Sequence, residues 1–311
     1  MRYPLAHGAA SCTLWSDDIS RPFASRRAFP SGRCLDESAR NLGQHSEGST
    51  PMYDSEGKDI VTRADIVESL RNLGLREGDL VQVHSSLSAF GYVEGGATTV
   101  VGALLDVLGR EGTLMMPTFN HGRFELFDIR NTPSVNGAIT EALRKHPLAR
   151  RSMHPTHPYA AIGPLADWLV AGHLEAGTFG DRSPLGKLAI LGGRVLLLGV
   201  GTNSNTAAHI GELLASCPCI GLHQARRRIV DPFGNVVEVA SSLWRDGPCR
   251  IEWDALESFM RGRHQIHDGA IGAAAVHLML AADVVGAAFR LAQQLCPQCP
   301  TGMRQERPEA E

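Results

Sequence analysis

The chain has 311 residues, 43% of them hydrophobic, which is enough to bury a substantial core and excludes a wholly disordered polymer. A formal net charge of -3 and a pI near 6.5 supply no global attraction for nucleic acid or an anionic membrane. No apolar run approaches the roughly 20 residues needed to cross a bilayer and the N-terminus lacks an apolar signal core, so a cytoplasmic protein is expected.

Residues 1–51 carry Ser, Arg, Gly and Pro without helical or strand periodicity and read as a disordered leader, with Met52 as the functional start. Thr62-Arg63-Ala64-Asp65 then has the form of a capping box, and Ile66, Leu70, Leu73 and Leu75 begin a helical apolar stripe. Residues 79–84 read as a short buried strand, 96–108 as a helix and 113–119 as the next strand, which is βαβ grammar. A helix at 139–146, a segment at 158–162, a short helix at 165–171 and a strand at 195–200 continue the alternation. Beyond Cys219 the pattern changes. Asp231-Pro232-Phe233-Gly234-Asn235 separates two alternating runs and signals a hairpin within 228–240. A helix at 254–260, a strand at 270–279 and a closing amphipathic helix at 281–295 follow, so residues 52–295 form one domain and 296–311 a flexible tail. Arg226-Arg227-Arg228 is read as a solvated strand edge rather than a phosphate site.

The seven cysteines give no framework. Cys217-Pro218-Cys219 and Cys296-Pro297-Gln298-Cys299 each lack a second properly spaced Cys/His pair, so reduced thiols are expected rather than zinc, and no metal site is expected elsewhere.

The densest chemistry lies in Val195 through Glu212. An apolar strand buried on both faces leads into a turn of Asn203, Ser204, Asn205 and Thr206, and a helix is expected from Asn205 or Thr206. His209 and Glu212 would share one face of that helix, so the carboxylate could orient the imidazole. Ser204 occupies the third position of a would-be G-x-G-x-x-G and no G-K-[ST] ending exists, which removes dinucleotide and nucleoside triphosphate readings. His84-Ser85-Ser86, Pro117-Thr118 and the run from Arg151 to His157 sit at other element ends, and their recurrence there favours a ligand site over ordinary turn chemistry.

Five ordered blocks carry a resemblance: His84 to Phe119 (H-S-S-L-S-A-F-G, then E-G-T-L-x-M-P-T-F), Arg130 to Arg144, Arg151 to His157 (R-S-x-H-P-x-H), Ser183 to Leu188 and Leu196 to Glu212 (L-L-L-G-V-G, then S-N-T-x-x-H-x-x-E). Over roughly residues 55 to 295 the chain resembles the aminoglycoside 3-N-acetyltransferase family. The resemblance implies a three-layer α/β/α sandwich with a mixed, largely parallel central sheet, to which the hairpin is an addition in the C-terminal third. It implies acetyl-CoA as donor co-substrate and a small-molecule amine as the other partner; no nucleic acid and no membrane partner, and a monomer or homodimer, are expected. By position in the motifs, His209 looks like the catalytic histidine and Glu212 its partner. His84, Ser85, Ser86, Pro117, Thr118, Ser152 and His154 fall on the coenzyme side, and Asn203, Asn205, Glu125 and Asp128 on the substrate side.

The chemistry is consistent with those roles. An amino sugar is largely an ammonium at neutral pH, so acetyl transfer from a thioester needs a base to free the lone pair, and His209 suits that task. The tetrahedral oxyanion then needs donors, for which the N–H groups of Asn203 to Thr206 and the hydroxyls of Ser85 and Ser86 are candidates. No cysteine stands with a base in these motifs, which favours direct attack in a ternary complex. Two departures bear on substrate: Asn203 stands where many members carry aspartate, and the span from Phe119 to Asn131 is short, with Glu125 and Asp128 its only carboxylates. A noncatalytic acyl-CoA or sugar-binding relative is the competing reading, and a metal hydrolase using His154, His157 and His209 is a third.

Overall fold

The computed structural model describes residues 60–216, 222–244 and 251–295, all within the compact unit spanning Thr50–Glu311. The leader, the start at Met52, both cysteine pairs and the tail lie outside the described residues.

The described chain begins with β1 (Ile60–Val61) and α1 (Arg63–Asn72). The expected capping box is present: Asp65 Oδ2 accepts the Thr62 N–H at 2.8 Å while Thr62 Oγ1 accepts the Asp65 N–H at 3.3 Å. Next come β2 (Leu80–Ser85), a 3-10 turn (Leu87–Phe90), β3 (Tyr92–Val93), α2 (Gly96–Leu108), β4 (Thr113–Pro117), β5 (Leu126–Phe127) and α3 (Ala138–Lys145). They lead to β6 (Arg150–Arg151), β7 (Tyr159–Ile162), α4 (Ala166–Val170), α5 (His173–Ala176), α6 (Pro184–Ile190) and β8 (Arg194–Leu198). A second 3-10 turn (Thr202–Ser204) precedes α7 (Ala208–Leu214), β9 (Leu222–Val230), β10 (Val236–Trp244), α8 (Trp253–Arg261), β11 (His267–Ile271), β12 (Ala274–Leu280) and α9 (Ala281–Leu295).

Seven strands form the central sheet in the order β11-β12-β8-β2-β4-β7-β6. The interior strand β8 shows why the fold has three layers. Val195, Leu196, Leu197 and Leu198 are all fully buried, and successive side chains point to opposite faces. Leu196 and Leu198 join the core beneath α1, α2 and α3, with Ile66, Leu70, Val100 and Leu104. Val195 and Leu197 join the other core, with Leu188 of α6, Ile210 of α7 and Val284 and Ala288 of α9. Each such leucine contributes about 2 kcal/mol of burial free energy, so the strand locks both layers to the sheet.

The mixed sheet agrees with the expectation, but its parallel share is smaller. Parallel pairing is confined to β8, β2 and β4, whereas β11, β12, β7 and β6 all join antiparallel. The expected strand at 270–279 is in fact a hairpin, because a continuous apolar run conceals the turn between β11 and β12. Gly272 makes that turn with φ of 55°, and a Cβ there would meet the Phe90 carbonyl oxygen and Val61. The other hairpin forms as expected around Asp231, whose Oδ1 accepts N–H bonds from Phe233 at 2.9 Å and Asn235 at 2.8 Å. It pairs with β5 as a separate three-stranded sheet. The α7 helix starts at Ala208 rather than Asn205 or Thr206, since the 3-10 turn ahead of it uses the backbone donors of Ser204 and Asn205.

Candidate active site

The three parallel strands β2, β4 and β8 end on the same edge of the sheet, where α/β folds collect ligands. A cleft of about 400 Å³ opens there, lined by His84 and Ser85 from β2, Pro117 and Phe119 from the exit of β4, and Val200, Asn203, Ser204 and Thr206 beyond β8. His121, Asn136 and Thr140 close its remaining side, and among the described residues no carboxylate lines it.

Thr206 carries the cleft wall into the His209 helix. Three residues on, His209 Nδ1 meets Glu212 Oε2 at 2.7 Å. The Glu212 side chain is only 2% exposed, and its other oxygen accepts the Ile251 N–H at 3.1 Å. With Glu212 ionised, its carboxylate can only accept, which places the proton on Nδ1 and a lone pair on Nε2. The imidazole is flanked by Phe179 at 5.1 Å and Trp253 at 5.8 Å between ring centroids. Its side chain is 15% exposed and lies just beyond the residues that line the cleft. The helix is set close to α9 by Gly211, where a Cβ would strike the Val285 carbonyl and lie 2.6 Å from the Phe289 nitrogen.

His84 braces this arrangement. Its Nε2 lies 2.8 Å from the Gln82 amide and 3.3 Å from the Thr206 N–H, which donates to it, and Thr206 Oγ1 is 3.2 Å away. Burial, and then repulsion from His209 when that ring is protonated, press its pKa down to about 3, so His84 is a neutral strut between β2 and the start of α7. Thr206 Oγ1 is also 3.3 Å from the Tyr159 hydroxyl, which burial holds protonated.

Several residues expected on the coenzyme side lie one layer behind the cleft. Ser152 Oγ accepts the Tyr159 N–H at 2.8 Å and donates to His173 Nδ1 at 2.8 Å. His154 Nδ1 accepts N–H bonds from His157 at 3.0 Å and Thr156 at 3.3 Å, and its Nε2 is 3.3 Å from Thr178 Oγ1. Thr118 Oγ1 donates to the Pro158 carbonyl at 3.0 Å and accepts from Arg151 Nε at 3.1 Å. All three are at most 1% exposed, so their polar atoms organise the floor rather than reach into the cleft. Ser86 is outside it as well, with its hydroxyl 3.2 Å from that of Ser88. On the substrate side, Asn203 lines the cleft. Asn205 is buried, with Oδ1 accepting the Ala207 N–H at 3.1 Å and Nδ2 directed at Met279 Sδ at 3.2 Å. Asp128 is occupied in its own loop, accepting from Arg130 N at 2.8 Å and Asn131 Nδ2 at 2.6 Å, while Glu125 is exposed and does not line the cleft.

Sequence reasoning missed the depth of this polar floor. His173 is buried and His157 half-buried, and burial is the leading cause that lowers the pKa of each; for His173 it falls to about 3. Arg151 donates to the Thr132 carbonyl at 2.6 Å and the Thr118 carbonyl at 2.8 Å, with burial pressing its pKa down to about 9. The only advance signal was the clustering of polar residues between Arg151 and His157. Both ring nitrogens of His154 are engaged internally, which removes it from the metal-hydrolase set, and among the described residues no His, Cys, Asp or Glu group is arranged to hold a metal. No helix among the described residues is long and apolar enough to cross a membrane.

A family model for aminoglycoside 3-N-acetyltransferase matches residues 82–293. Aminoglycoside N(3)-acetyltransferase VII of Streptomyces paromomycinus is 35% identical over 266 residues, covering 72% of this chain and 89% of that protein. Among solved structures, AAC-IIIb in a binary complex with CoASH superposes with a TM-score of 0.71 at 26% identity, over 76% of this chain and 97% of that one. Aminoglycoside acetyltransferase AAC(3)-Xa gives a TM-score of 0.70 at 32% identity, over 76% and 94% of the two chains.

Proposed function

The chain belongs to the aminoglycoside 3-N-acetyltransferase family, and from that premise we propose that it moves the acetyl group of acetyl-CoA onto an amine in a ternary complex, with His209 as general base. The acceptor is an aminoglycoside, at its 3-amino group, or a related amino sugar. The observation that carries this reading is the 2.7 Å contact of His209 Nδ1 with the buried Glu212 carboxylate, which leaves Nε2 basic.

In this mechanism the acceptor reacts as the free amine, its ammonium proton having gone to solvent, and Nε2 takes one proton from the nitrogen as it attacks. The nitrogen lone pair attacks the thioester carbonyl carbon, and the tetrahedral oxyanion collapses by expelling the coenzyme A thiolate. Glu212 holds the imidazole in the productive tautomer and stabilises the imidazolium that forms. His209 then returns its proton to the thiolate.

For the oxyanion, Ser85 is favoured over the turn that follows β8. The N–H groups of Ser204, Asn205 and Thr206 are already spent on Gly201 O, Thr202 O and His84 Nε2 at 3.0, 2.9 and 3.3 Å. Ser85 lines the cleft with a buried hydroxyl that has no hydrogen-bond partner among the described residues, so its proton is available to a ligand oxygen. The coenzyme is assigned to the His84, Ser85 and Pro117 side of the cleft, and the acceptor to the side of Asn203, with Thr118, Ser152 and His154 shaping the floor beneath.

Release of free thiol from acetyl-CoA, followed across a panel of aminoglycosides and simple amino sugars, tests the proposal. Amine-dependent thiol release is the expected result. Coenzyme binding without release in any mixture would instead make the chain a noncatalytic relative.

A further inference from the structure

The hairpin strand β9 carries three consecutive arginines that alternate across its faces. Arg226 and Arg228 are exposed, whereas Arg227 points the same way as Ile229, which is only 3% exposed. Arg227 therefore faces the body of the domain. Its guanidinium lies against the turn that follows β4: Nη2 is 3.1 Å and Cζ 3.6 Å from where a Cβ on Gly122 would sit.

That turn borders the cleft. His121, which lines the cleft, holds φ at 51°, a left-handed conformation uncommon for a residue with a side chain. It is held there by bonds on both sides: His121 N–H to Thr156 O at 3.0 Å, Asn120 Nδ2 to Pro155 O at 2.9 Å and Gly122 N–H to Asn120 Oδ1 at 2.8 Å. Such strain persists only where surrounding bonds enforce it, and it collects at ligand sites.

Among the described residues no carboxylate answers the charge of Arg227. Its Nε is buried without an acceptor. Glu238 is committed to Arg226 at 2.7 Å, and among the described residues Arg227 has no ion-pair partner. A partly buried guanidinium is costly without an anion, and its planar fork matches phosphate and carboxylate oxygens.

We propose that Arg227, packed on the His121–Gly122 turn, forms an anion subsite at the rim of the cleft for a phosphate or carboxylate of one of the two reactants. This rests on the reading of the cleft as an acetyl-transfer site. The anion is either a phosphate of coenzyme A or an acid group on the amine, and the latter would select an acidic amino sugar over a polycation.

Calorimetry with inorganic pyrophosphate tests the subsite independently of turnover. The wild type should bind it, Arg227→Gln should bind about ten- to a hundredfold more weakly, and Arg227→Lys should fall between them. Kinetics then assign the source. A KM increase of that size for acetyl-CoA alone points to the coenzyme, whereas loss of preference for glucosamine 6-phosphate over glucosamine points to the acceptor. Equal pyrophosphate affinity in wild type and Arg227→Gln, or no binding by the wild type, overturns the proposal. Should Arg227→Gln fail to fold, phenylglyoxal labelling of the wild type decides: pyrophosphate must slow modification of Arg227, and unchanged labelling overturns the subsite. If no amine turns over but pyrophosphate binding depends on Arg227, the acetyl-transfer reading fails while the subsite stands.

Discussion

The histidines behind the cleft should make this fold unusually sensitive to mild acid. His84, His154 and His173 are buried and His157 is half-buried, and burial is the leading cause that lowers the pKa of each; His84 and His173 fall to about 3. Their unfolded value is near 6.5. A group with a depressed native pKa binds more protons when unfolded, so for a histidine stability falls as pH drops below the unfolded value. Lowering pH from 7 to 5.5 then costs about 1.3 kcal/mol for each histidine that stays neutral in the fold, or about 5 kcal/mol for all four. That approaches the whole stability of an ordinary domain. Glu141, held down to about 2 mainly by its Arg144 hydrogen bond against an opposing burial effect, loses its stabilising contribution only below its unfolded pKa of 4.5, in a separate window. Urea unfolding at pH 7.5, 6.5 and 5.5 measures the effect. A steep loss of unfolding free energy is expected, smaller in a folded His173→Gln variant. A stability that stays flat across this range would mean that the histidines protonate within the fold and that the floor is wet.

Three further outcomes follow from the site. Glu212→Gln keeps an acceptor for Ile251 N–H but can offer an amide N–H to His209 Nδ1, favouring the wrong tautomer; turnover should fall about a hundredfold or more, with far-UV circular dichroism unchanged. Gly211→Ala drives a methyl into the α9 backbone and should cost at least about 2 kcal/mol in urea unfolding, because neither helix can withdraw without opening the core. Ser85→Ala removes the unpartnered hydroxyl at the cleft and should lower kcat by about tenfold or more with little change in KM for acetyl-CoA; an unaltered kcat would exclude it as an oxyanion donor.

Much of the frame was legible because local signals and tertiary context agree. The Thr62–Asp65 box, the amphipathic stripe of α2 and the Asp231 turn each obey a short-range rule, and each forms where that rule places it. His209 and Glu212 were legible as well, since three-residue spacing on a helix dictates their contact. The Gly272 turn was not, because alanine and isoleucine on either side read as one continuous strand and the bend is fixed by packing against Phe90. Nor was the division between cleft and floor. Ser85 and Ser86 are adjacent polar letters, yet one lines the cleft and the other pairs outward with Ser88, a distinction made by the sheet edge. Thr118, Ser152 and His154 belong to the matching motifs, but tertiary hydrogen bonds turn them inward. The three arginines of β9 look alike as a run and differ once strand alternation sends Arg227 inward.

The central claim is that His209 supplies the base for acetyl transfer, and the most direct measurement is turnover by His209→Ala against the wild type, with the same acetyl-CoA and amine and with folding verified by thermal melting. At least about a hundredfold loss in kcat, with coenzyme affinity retained, is the predicted result. A variant that turns over at near wild-type rate would contradict the account.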